Sequence, residues 1–135
     1  MDEKTMTVRE FMKKFYVETR YDQIIPGAAR EKNYIKRPRA VCKDSFSISI
    51  QASWFHYCAP HISGGDIDYE SVELGFPSEP DELIFNYAEG DDYTSTVYGY
   101  VPIDVVEELM KKHGGIVSAF EITADKNDEI SWLVK

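Results

Sequence analysis

Residues 44–53 read DSFSISIQAS, and this stretch determines the fold class that the sequence predicts. Its apolar residues alternate with polar ones along the whole stretch: Phe46, Ile48, Ile50 and Ala52. Successive side chains of a strand point to opposite faces of a sheet, so one face here is buried and the other is polar. Such strict alternation is typical of antiparallel sheets, because strands of parallel sheets are apolar on both faces.

Further segments around this strand show a recognisable hydrophobic periodicity. Strands are predicted at 69–76, 94–101, 116–123 and 129–134, the last two as a hairpin. Thr7 and Glu10 form a capping box that predicts a helix over residues 8–19. A second helix is predicted from Pro102 to a stop at Gly114. The sequence therefore predicts a single α+β domain, 1–135, with about five mainly antiparallel strands and two helices packed on one face.

Two segments lack a clear period. Pro26 and Gly27 interrupt the chain, a short helix is predicted at 28–32, and Pro38 argues against a long regular element in the basic segment 30–43. Residues 77–92 combine two prolines with acids and a small apolar cluster, which predicts a short strand or turn within an exposed acidic excursion.

The composition indicates a folded protein. The chain has 135 residues, 43% apolar content and a formal net charge of −9, and its seven Phe, nine Tyr and two Trp exclude a disordered composition. No apolar run is long enough for a signal core or a bilayer span, so the sequence predicts a cytoplasmic protein without membrane contact. Because disulfides are rare in the cytoplasm, we expect Cys42 and Cys58 to be free thiols.

Charge is distributed unevenly along the chain. No Lys or Arg lies between Lys43 and Lys111, whereas this interval holds fourteen Asp and Glu residues. Residues 1–43, the first helix plus the basic segment, have eleven Lys and Arg against six Asp and Glu. Residues 44–135 comprise the acidic sheet, the second helix and the carboxy-terminal hairpin. This charge asymmetry influences which partners the protein attracts and how fast they associate, but it gives little information about the fold.

The stretch SWFHYCAPH, residues 53–61, concentrates residue types that metal sites and active sites use. His56, Cys58 and His61 are ligand types that zinc prefers, but they lack the second close pair of common zinc modules. A catalytic Cys58 would need a base and a nearby positive charge, and its sequence neighbours supply no cation. The favoured interpretation is structural, with Trp54, His56 and Cys58 extending the buried row of the strand. No metal and no cofactor are predicted.

Charged clusters offer two further interpretations. Asp66 and Asp68 resemble part of a cation site, but the remaining positions of a calcium loop are missing, so a solvated acidic surface is favoured. The basic run RPRAVCK, residues 37–43, contains Arg37 and Arg39, which are donor types that hold phosphates. It is one short patch on an acidic protein, so packing against the protein's own acids is favoured over direct nucleic-acid binding.

Three motifs carry a resemblance to a group of proteins: QASWFHYCAPH at 51–61, GFPSEP at 75–80 and VYGYVPIDVV at 97–106. Over about residues 45–115 the chain resembles uncharacterised small acidic proteins of phages and prophages of Gram-positive bacteria. The resemblance brings no activity and no assigned residues. It implies an accessory or anti-defence protein of the host-cell cytoplasm, such as an anti-CRISPR-like inhibitor whose carboxylates take the place of nucleic-acid phosphates in a basic groove.

The residues and the resemblance together favour a non-catalytic inhibitor of a host defence protein that has a basic, nucleic-acid-handling groove. Its predicted protein-binding residues are carboxylates of the middle third: Asp66, Asp68, Glu70, Glu79, Asp81, Glu82, Asp91 and Asp92. The alternative is an enzyme, or a binder of a small nucleotide-like ligand, that uses the aromatic strand end and two arginines: Arg37, Arg39, Trp54, His56, Tyr57, Cys58 and His61. The oligomeric state, monomer or dimer, stays open.

Overall fold

The computed structural model describes residues 4–16, 18–20, 33–35, 37–54, 56–123 and 129–133, with the backbone alone at 18–20, 33–35, 120–123 and 129–133. The elements in chain order are α1 (Val8–Lys14), β1 (Glu18–Arg20), β2 (Asn33–Ile35), β3 (Arg39–Cys42), β4 (Ser47–Gln51), β5 (Ser71–Gly75), a 3₁₀ helix (Glu82–Tyr87), β6 (Val97–Pro102), α2 (Ile103–Lys112), β7 (Ile116–Thr123) and β8 (Glu129–Leu133). The helix predicted at 28–32 lies outside the described residues. Within the described chain, neither α-helix has the length and apolar character needed to cross a membrane.

Six strands form one antiparallel sheet in the spatial order β6-β5-β4-β3-β7-β8, and β1 and β2 pair separately as a two-stranded ribbon. Strands β3 to β6 follow one another as a meander, and α2 then carries the chain back to β7 on the other side of β3. β7 and β8 form the predicted hairpin, with Ile122 opposite Ile130. The predicted α+β class is confirmed, and the described sheet has one strand more than the approximate five expected.

Helix α1 begins at the predicted capping box and ends earlier than predicted. The Thr7 hydroxyl accepts a hydrogen bond from the Glu10 N–H at 3.0 Å, and the Glu10 carboxylate accepts one from the Thr7 N–H at 2.9 Å. The prediction that the helix continues to residue 19 is wrong, because Phe15 caps it and β1 follows. The residues after Lys14 are aromatic and β-branched types, which fit a strand better than a helix.

Strand β3 is central to the sheet, although the sequence does not predict it. It pairs with β4 on one side and with β7 on the other. Its four residues directly follow Pro38 within the basic run, and their short length conceals the period of a strand. Proline lacks an N–H for the ladder, but a strand that begins after it loses no hydrogen bond. Ala40, Val41 and Cys42 are all buried.

The connection between β5 and β6 contains a 3₁₀ helix where the sequence predicts a short strand or turn. The Asp81 carboxylate caps this helix by accepting a hydrogen bond from the Leu83 N–H at 3.0 Å. Ile84 is fully buried, so the apolar cluster of this segment docks into the core as helical turns rather than as a strand.

A β-bulge keeps the apolar side chains of β6 on one face. The β5–β6 register shifts so that Val101 lies opposite Val72 and Tyr98 lies opposite Leu74, and all four side chains are buried. Tyr98 and Val101 are three positions apart, so without the extra residue they would point to opposite faces. Tyr100, within the bulge, has φ = 53°, a left-handed conformation uncommon for residues other than glycine.

Strand β6 lies at an edge of the sheet, and its outer side is partly occupied by the chain's own backbone. The Tyr100 N–H donates a hydrogen bond to the Tyr57 carbonyl at 3.0 Å. The Glu89 N–H donates to the Val97 carbonyl at 2.9 Å, and Ala88 forms an isolated antiparallel bridge with Tyr98. The segments before β5 and before β6 therefore cover this edge.

The core lies between the sheet and the two α-helices, which pack on the same face as predicted. The fully buried side chains of the central strands face those of α1 and α2: Ile48, Ile50, Val72 and Leu74 from the sheet, Val8 and Phe11 from α1, and Val106 and Leu109 from α2. Helix α2 ends at the predicted glycine, since Gly114 has φ = 95° and the following Gly115 N–H donates to the Met110 carbonyl at 2.8 Å.

We expect Leu109→Ala to lower the free energy of unfolding by about 2–5 kcal/mol, because it removes buried methyl groups and leaves a cavity. The matched control is Glu108→Ala on the exposed face of the same helix, with an expected effect within about 0.5 kcal/mol. Urea unfolding followed by circular dichroism measures both variants. Equal losses in the two variants would contradict the packing of α2 described here.

Candidate functional site

The predicted acidic surface consists of two groups of residues at opposite ends of β5. Asp66, Asp68 and Glu70 precede the strand, and the remaining predicted residues follow it: Glu79, Asp81, Glu82, Asp91 and Asp92. A five-residue strand separates its ends by about 13 Å. The predicted carboxylates therefore do not form one compact patch.

In the group before β5, one carboxylate already has cationic partners. Asp68 lies 3.0 Å from Lys13 Nζ and 3.8 Å from Arg9 Nε, both on α1. The hydrogen bond from Lys13 and the charges of both cations hold the pKa of Asp68 below its usual range. Asp66 and Glu70 are exposed without an ion pair among the described residues. The basic amino-terminal helix thus neutralises part of this group.

Asp81 is not available to a partner, and its predicted place on an exposed binding surface is wrong. It is only 5% exposed. Its carboxylate accepts hydrogen bonds from His113 Nε2 at 2.9 Å and Lys112 Nζ at 3.1 Å, besides the one from the Leu83 N–H. Burial opposes ionisation of this carboxyl, but these three hydrogen bonds outweigh it and lower the pKa of Asp81.

His113 joins three segments of the molecule through this pair. Its Nδ1 lies 2.7 Å from the Asp44 carboxylate in the turn between β3 and β4, and its ring stacks on Phe46 with centroids 3.9 Å apart. Burial alone would lower the pKa of His113, but the hydrogen bonds to Asp44 and Asp81 raise it. Both ring nitrogens are engaged by carboxylates, so the imidazole serves as a structural cation and has no nitrogen free for proton transfer. Sequence reasoning missed this cluster, because its members are 31 to 69 positions apart.

Residues 76–96, which connect β5 to β6, form what we call the acidic connection. It holds six carboxylates and no Lys or Arg, and all except Asp81 are exposed: Glu79, Glu82, Glu89, Asp91 and Asp92. Buried Ile84 and the stacked rings of Phe85 and Tyr93, with centroids 3.9 Å apart, hold the connection in place. The Tyr98 hydroxyl donates a hydrogen bond to the Tyr93 carbonyl and ties the connection to β6.

At SWFHYCAPH the chain leaves the sheet, and the residues of this stretch point in different directions. Strand β4 ends at Gln51, so the prediction that the strand continues through Cys58 is wrong. Cys58 is 1% exposed, and its thiol lies 3.2 Å from the Ser53 carbonyl and 3.4 Å from the Pro60 carbonyl. Burial raises the pKa of Cys58. Its predicted role as a small core residue agrees with this position.

His56 lies apart from the core, at the polar face of the sheet. Its Nδ1 is 2.6 Å from the Ser53 hydroxyl. Burial, together with the charge of Arg37, lowers the pKa of His56 to about 4. The imidazole is therefore neutral at physiological pH and adds no positive charge to this face.

The two arginines of the alternative ligand site are bound to the protein itself. Arg37 is 2% exposed, and its guanidinium donates to the Met12 carbonyl in the last turn of α1 and to the Ala52 carbonyl after β4, each at 2.9 Å. The Arg39 guanidinium donates to the Ser47 hydroxyl at 2.9 Å and to the Phe76 carbonyl at 2.7 Å. Arg37 thus satisfies an end carbonyl of α1 and joins the helix to the sheet.

The remaining residues of the alternative site are spread around the strand end. His61 is exposed, Trp54 is half-buried, and the backbone N–H of Trp54 donates to the Ser63 hydroxyl at 3.0 Å. Tyr57 is 48% exposed and stacks on Tyr100 with ring centroids 5.9 Å apart. The seven residues therefore do not converge on one site.

A cavity of about 150 Å³ lies on the polar face of the sheet, and of the alternative set it includes only His56. Its lining comes from three neighbouring strands and the strand end: Ser49, Gln51, His56, Glu73, Leu74, Gly75, Phe76 and Val97. Ser49, Gln51, Glu73 and Gly75 occupy the alternate positions of β4 and β5 that point away from the core. Within the described part of the chain, no three His, Cys, Asp or Glu side chains are placed to hold a metal ion.

Comparison of this chain with protein-family models, with curated proteins and with solved structures found no match.

We expect the His113 cluster to stabilise the fold in a defined pH range. The pKa of His113 is raised. Its contribution to the free energy of unfolding is therefore fully present below about pH 6.5 and is lost as the pH rises through the raised pKa. Asp44 and Asp81 have lowered pKa values, so their contribution is complete above about pH 4 and is lost as the pH falls through the lowered values. The stabilisation is therefore largest between about pH 4 and pH 6.5.

The measurement is the free energy of unfolding of the wild type and of His113→Gln, from about pH 5 to about pH 9. We expect a difference of about 1.5–3 kcal/mol near pH 5.5 that shrinks as the pH rises, since hydrogen bonds to charged groups contribute about this much. His56, whose lowered pKa acts in the opposite sense, is present in both proteins and cancels in the difference. A difference that stays constant up to pH 9 would show that His113 is not a bound cation.

Both thiols are expected to be unreactive in the folded protein. Burial raises the pKa of Cys42 to about 12 and also raises that of Cys58, so neither forms a thiolate near neutral pH. We expect iodoacetamide to alkylate each at least about 100-fold more slowly in buffer than in denaturant, as followed by peptide mass spectrometry. Rapid alkylation of Cys58 in the folded state would support a catalytic thiol instead.

Proposed function

We propose that this protein is a non-catalytic binding protein that occupies a basic, nucleic-acid-handling groove on a partner, with the acidic connection as its contact surface. The observation that carries this proposal is the set of five exposed carboxylates on one short connection. Apart from buried Asp81, none of its carboxylates forms an ion pair with a described residue. The interval from residue 44 to residue 110, which contains the connection, has no Lys or Arg.

The electrostatics of this surface suit a partner rich in Lys and Arg. Exposed carboxylates at close spacing resemble the phosphates of a nucleic acid in charge and in hydrogen-bond acceptor character. Complementary charge accelerates association and selects against acidic partners. At physiological salt the screening length is about 8 Å, so neighbouring carboxylates of the connection act on a partner together.

The attachment of the connection supports a role as a binding surface. Asp81 fixes its start to His113 and Lys112 on α2, and Ile84 anchors its middle in the core. The Glu89 N–H joins its end to β6. A surface held in this way loses little conformational entropy when it binds, which favours affinity.

The side chains best suited to catalysis or ligand binding are buried or hydrogen-bonded within the protein. Cys58 is buried, the nitrogens of His113 are engaged, and Arg37 binds backbone carbonyls. These positions support a binding role over a catalytic one. The resemblance to small acidic phage and prophage proteins supports a host defence enzyme as the partner and the host-cell cytoplasm as the location, which makes an anti-CRISPR-like inhibitor the specific form of the proposal.

The proposal is tested by displacement of fluorescent duplex DNA from a panel of purified nucleic-acid-handling defence enzymes. We expect the wild-type protein to displace DNA from at least one enzyme, and Glu79→Lys/Asp91→Lys to weaken displacement at least about tenfold, because reversed charges repel the groove. Displacement is expected to weaken as salt rises from about 50 mM to about 200 mM.

The matched control is Asp66→Lys/Glu70→Lys, which changes the net charge equally at the opposite end of β5. We expect it to keep most of the wild-type displacement. Equal losses in both double variants would mean that net charge acts without a defined surface. Displacement that neither variant affects, or that does not change with salt, would contradict the proposal.

A further inference from the structure

The polar face of the sheet carries a second site, which shares only one carboxylate, that of Glu89, with the acidic connection. Its centre is Glu73 on β5, which lies in the lining of the 150 Å³ cavity with Ser49 and Gln51 of β4. Leu74 points into the core, so its neighbours Glu73 and Gly75 point to the opposite face of the sheet. The face is recessed here because Gly75 places no side chain between the strands.

Glu73 is half-buried and keeps capacity for another donor. One of its carboxylate oxygens accepts the Tyr57 N–H at 2.8 Å. No Lys or Arg of the described chain lies within ion-pair distance of it. A carboxylate has about four acceptor positions, so most of its hydrogen-bonding capacity is open to a bound group.

A second carboxylate lies close by on the same face. At Gly99 of β6, a side-chain carbon would lie 3.0 Å from Glu89 Oε2 and 3.3 Å from Tyr57 Cβ. Tyr57 also binds Glu73 through its N–H, so Glu73 and Glu89 flank the same tyrosine. Glycine at 99 lets this tyrosine and the Glu89 carboxylate pack directly on the strand.

Exposed aromatic residues lie close to Glu73. The exposed large hydrophobic side chains of the described residues are Tyr57 at 48%, Ile62 at 50%, Phe76 at 49% and Tyr100 at 54%. Phe76 lines the cavity, and Tyr57, whose N–H binds Glu73 of the lining, stacks on Tyr100. Clustered exposed aromatics of this kind are enriched where proteins bind other groups.

The polar side chains that line the cavity carry no positive charge. His56 in the lining is neutral at physiological pH. Two described guanidinium groups near this face are engaged within the protein: that of Arg37, whose charge acts on His56, donates to the Met12 and Ala52 carbonyls, and that of Arg39 donates to Ser47 and to the Phe76 carbonyl. Arg39 also shows that a guanidinium is accommodated on this face of the sheet between a serine hydroxyl and a backbone carbonyl.

We propose that the cavity binds a guanidinium group, held by the carboxylate of Glu73 beside the Phe76 ring, with the Glu89 carboxylate on the other side of Tyr57 adding negative charge. Guanidinium is planar, weakly hydrated and suited to aromatic surroundings, whereas an ammonium is compact and strongly hydrated. A cavity of about 150 Å³ accommodates a group the size of benzene, which is sufficient for a guanidinium and part of its aliphatic stem. This inference rests on the proposed function: the guanidinium comes from an arginine side chain at the edge of the partner's basic groove.

The probes are N-acetyl-arginine methylamide, its lysine counterpart and a glycine–serine peptide with a single arginine, each titrated by calorimetry and by NMR. We expect the arginine probes to bind and to shift the amide signals of Ser49, Gly75 and Gly99. The lysine probe is expected to bind at least about fivefold more weakly. Tighter binding of the peptide than of the amide assigns the guanidinium to a protein partner, and equal binding assigns it to a free small molecule.

Glu73→Gln is expected to weaken arginine binding at least about tenfold, because it removes the charge and keeps the shape. Gly75→Ala provides a second variant, since its methyl group would make ordinary contacts of 3.6 Å with Val97 and 3.8 Å with Ser49 while taking space from the cavity. Asp104→Lys/Glu108→Lys, on the exposed side of α2, is the control and is expected to bind the arginine probes as the wild type does.

Each possible failure has its own readout. Absence of binding by both arginine probes, equal binding of lysine, or wild-type affinity in Glu73→Gln and Gly75→Ala would overturn the guanidinium site and leave DNA displacement by the acidic connection intact. Loss of DNA displacement across the enzyme panel would overturn the proposed function, while arginine binding that depends on Glu73 would still assign the cavity to a guanidinium.

Discussion

The opposed faces of the central sheet are the constraint on which the rest of the structure depends. In β4, Ile48 and Ile50 are fully buried under the helices, while Ser47, Ser49 and Gln51 point to the other side. Burial on the first face stabilises the fold through apolar area removed from water. Because that face takes the apolar side chains, the second face is free to carry carboxylates, an amide and hydroxyls, and the recess at Gly75 lies there.

A single buried imidazolium organises the molecule at one end of this sheet. His113 joins the end of α2 to the β3–β4 turn through Asp44 and to the 3₁₀ helix through Asp81. The same bonds withdraw Asp81 from solvent and position the segment that follows it. Electrostatic pairing within the protein therefore determines which acids of the middle third remain exposed, and the split around β5 separates those near α1 from those of the acidic connection.

Local sequence patterns were sufficient to predict the elements that show a complete hydrophobic periodicity or a clear capping signal. The alternation in β4, the capping box at Thr7 and the stop at Gly114 all predict what the structure contains. The pattern fails where elements are short or where distant residues meet. Strand β3 is hidden behind Pro38, α1 stops at Lys14, and the members of the cavity and of the His113 cluster come from separate strands and turns. Their contacts follow from pairing register, which a single chain's periodicity does not encode.

The coverage of β6 has a consequence for how copies of this protein meet one another. Exposed edge strands offer unpaired N–H and carbonyl groups to which another chain can add a strand, a common route to aggregation. Here β6 already pairs with the protein's own backbone, through the Tyr57 carbonyl, the Glu89 N–H and the β-bridge at Ala88. A second chain would first have to break these intramolecular bonds, so association by sheet extension is disfavoured at this end. The aromatic and β-branched residues of the strands therefore do not promote aggregation at β6.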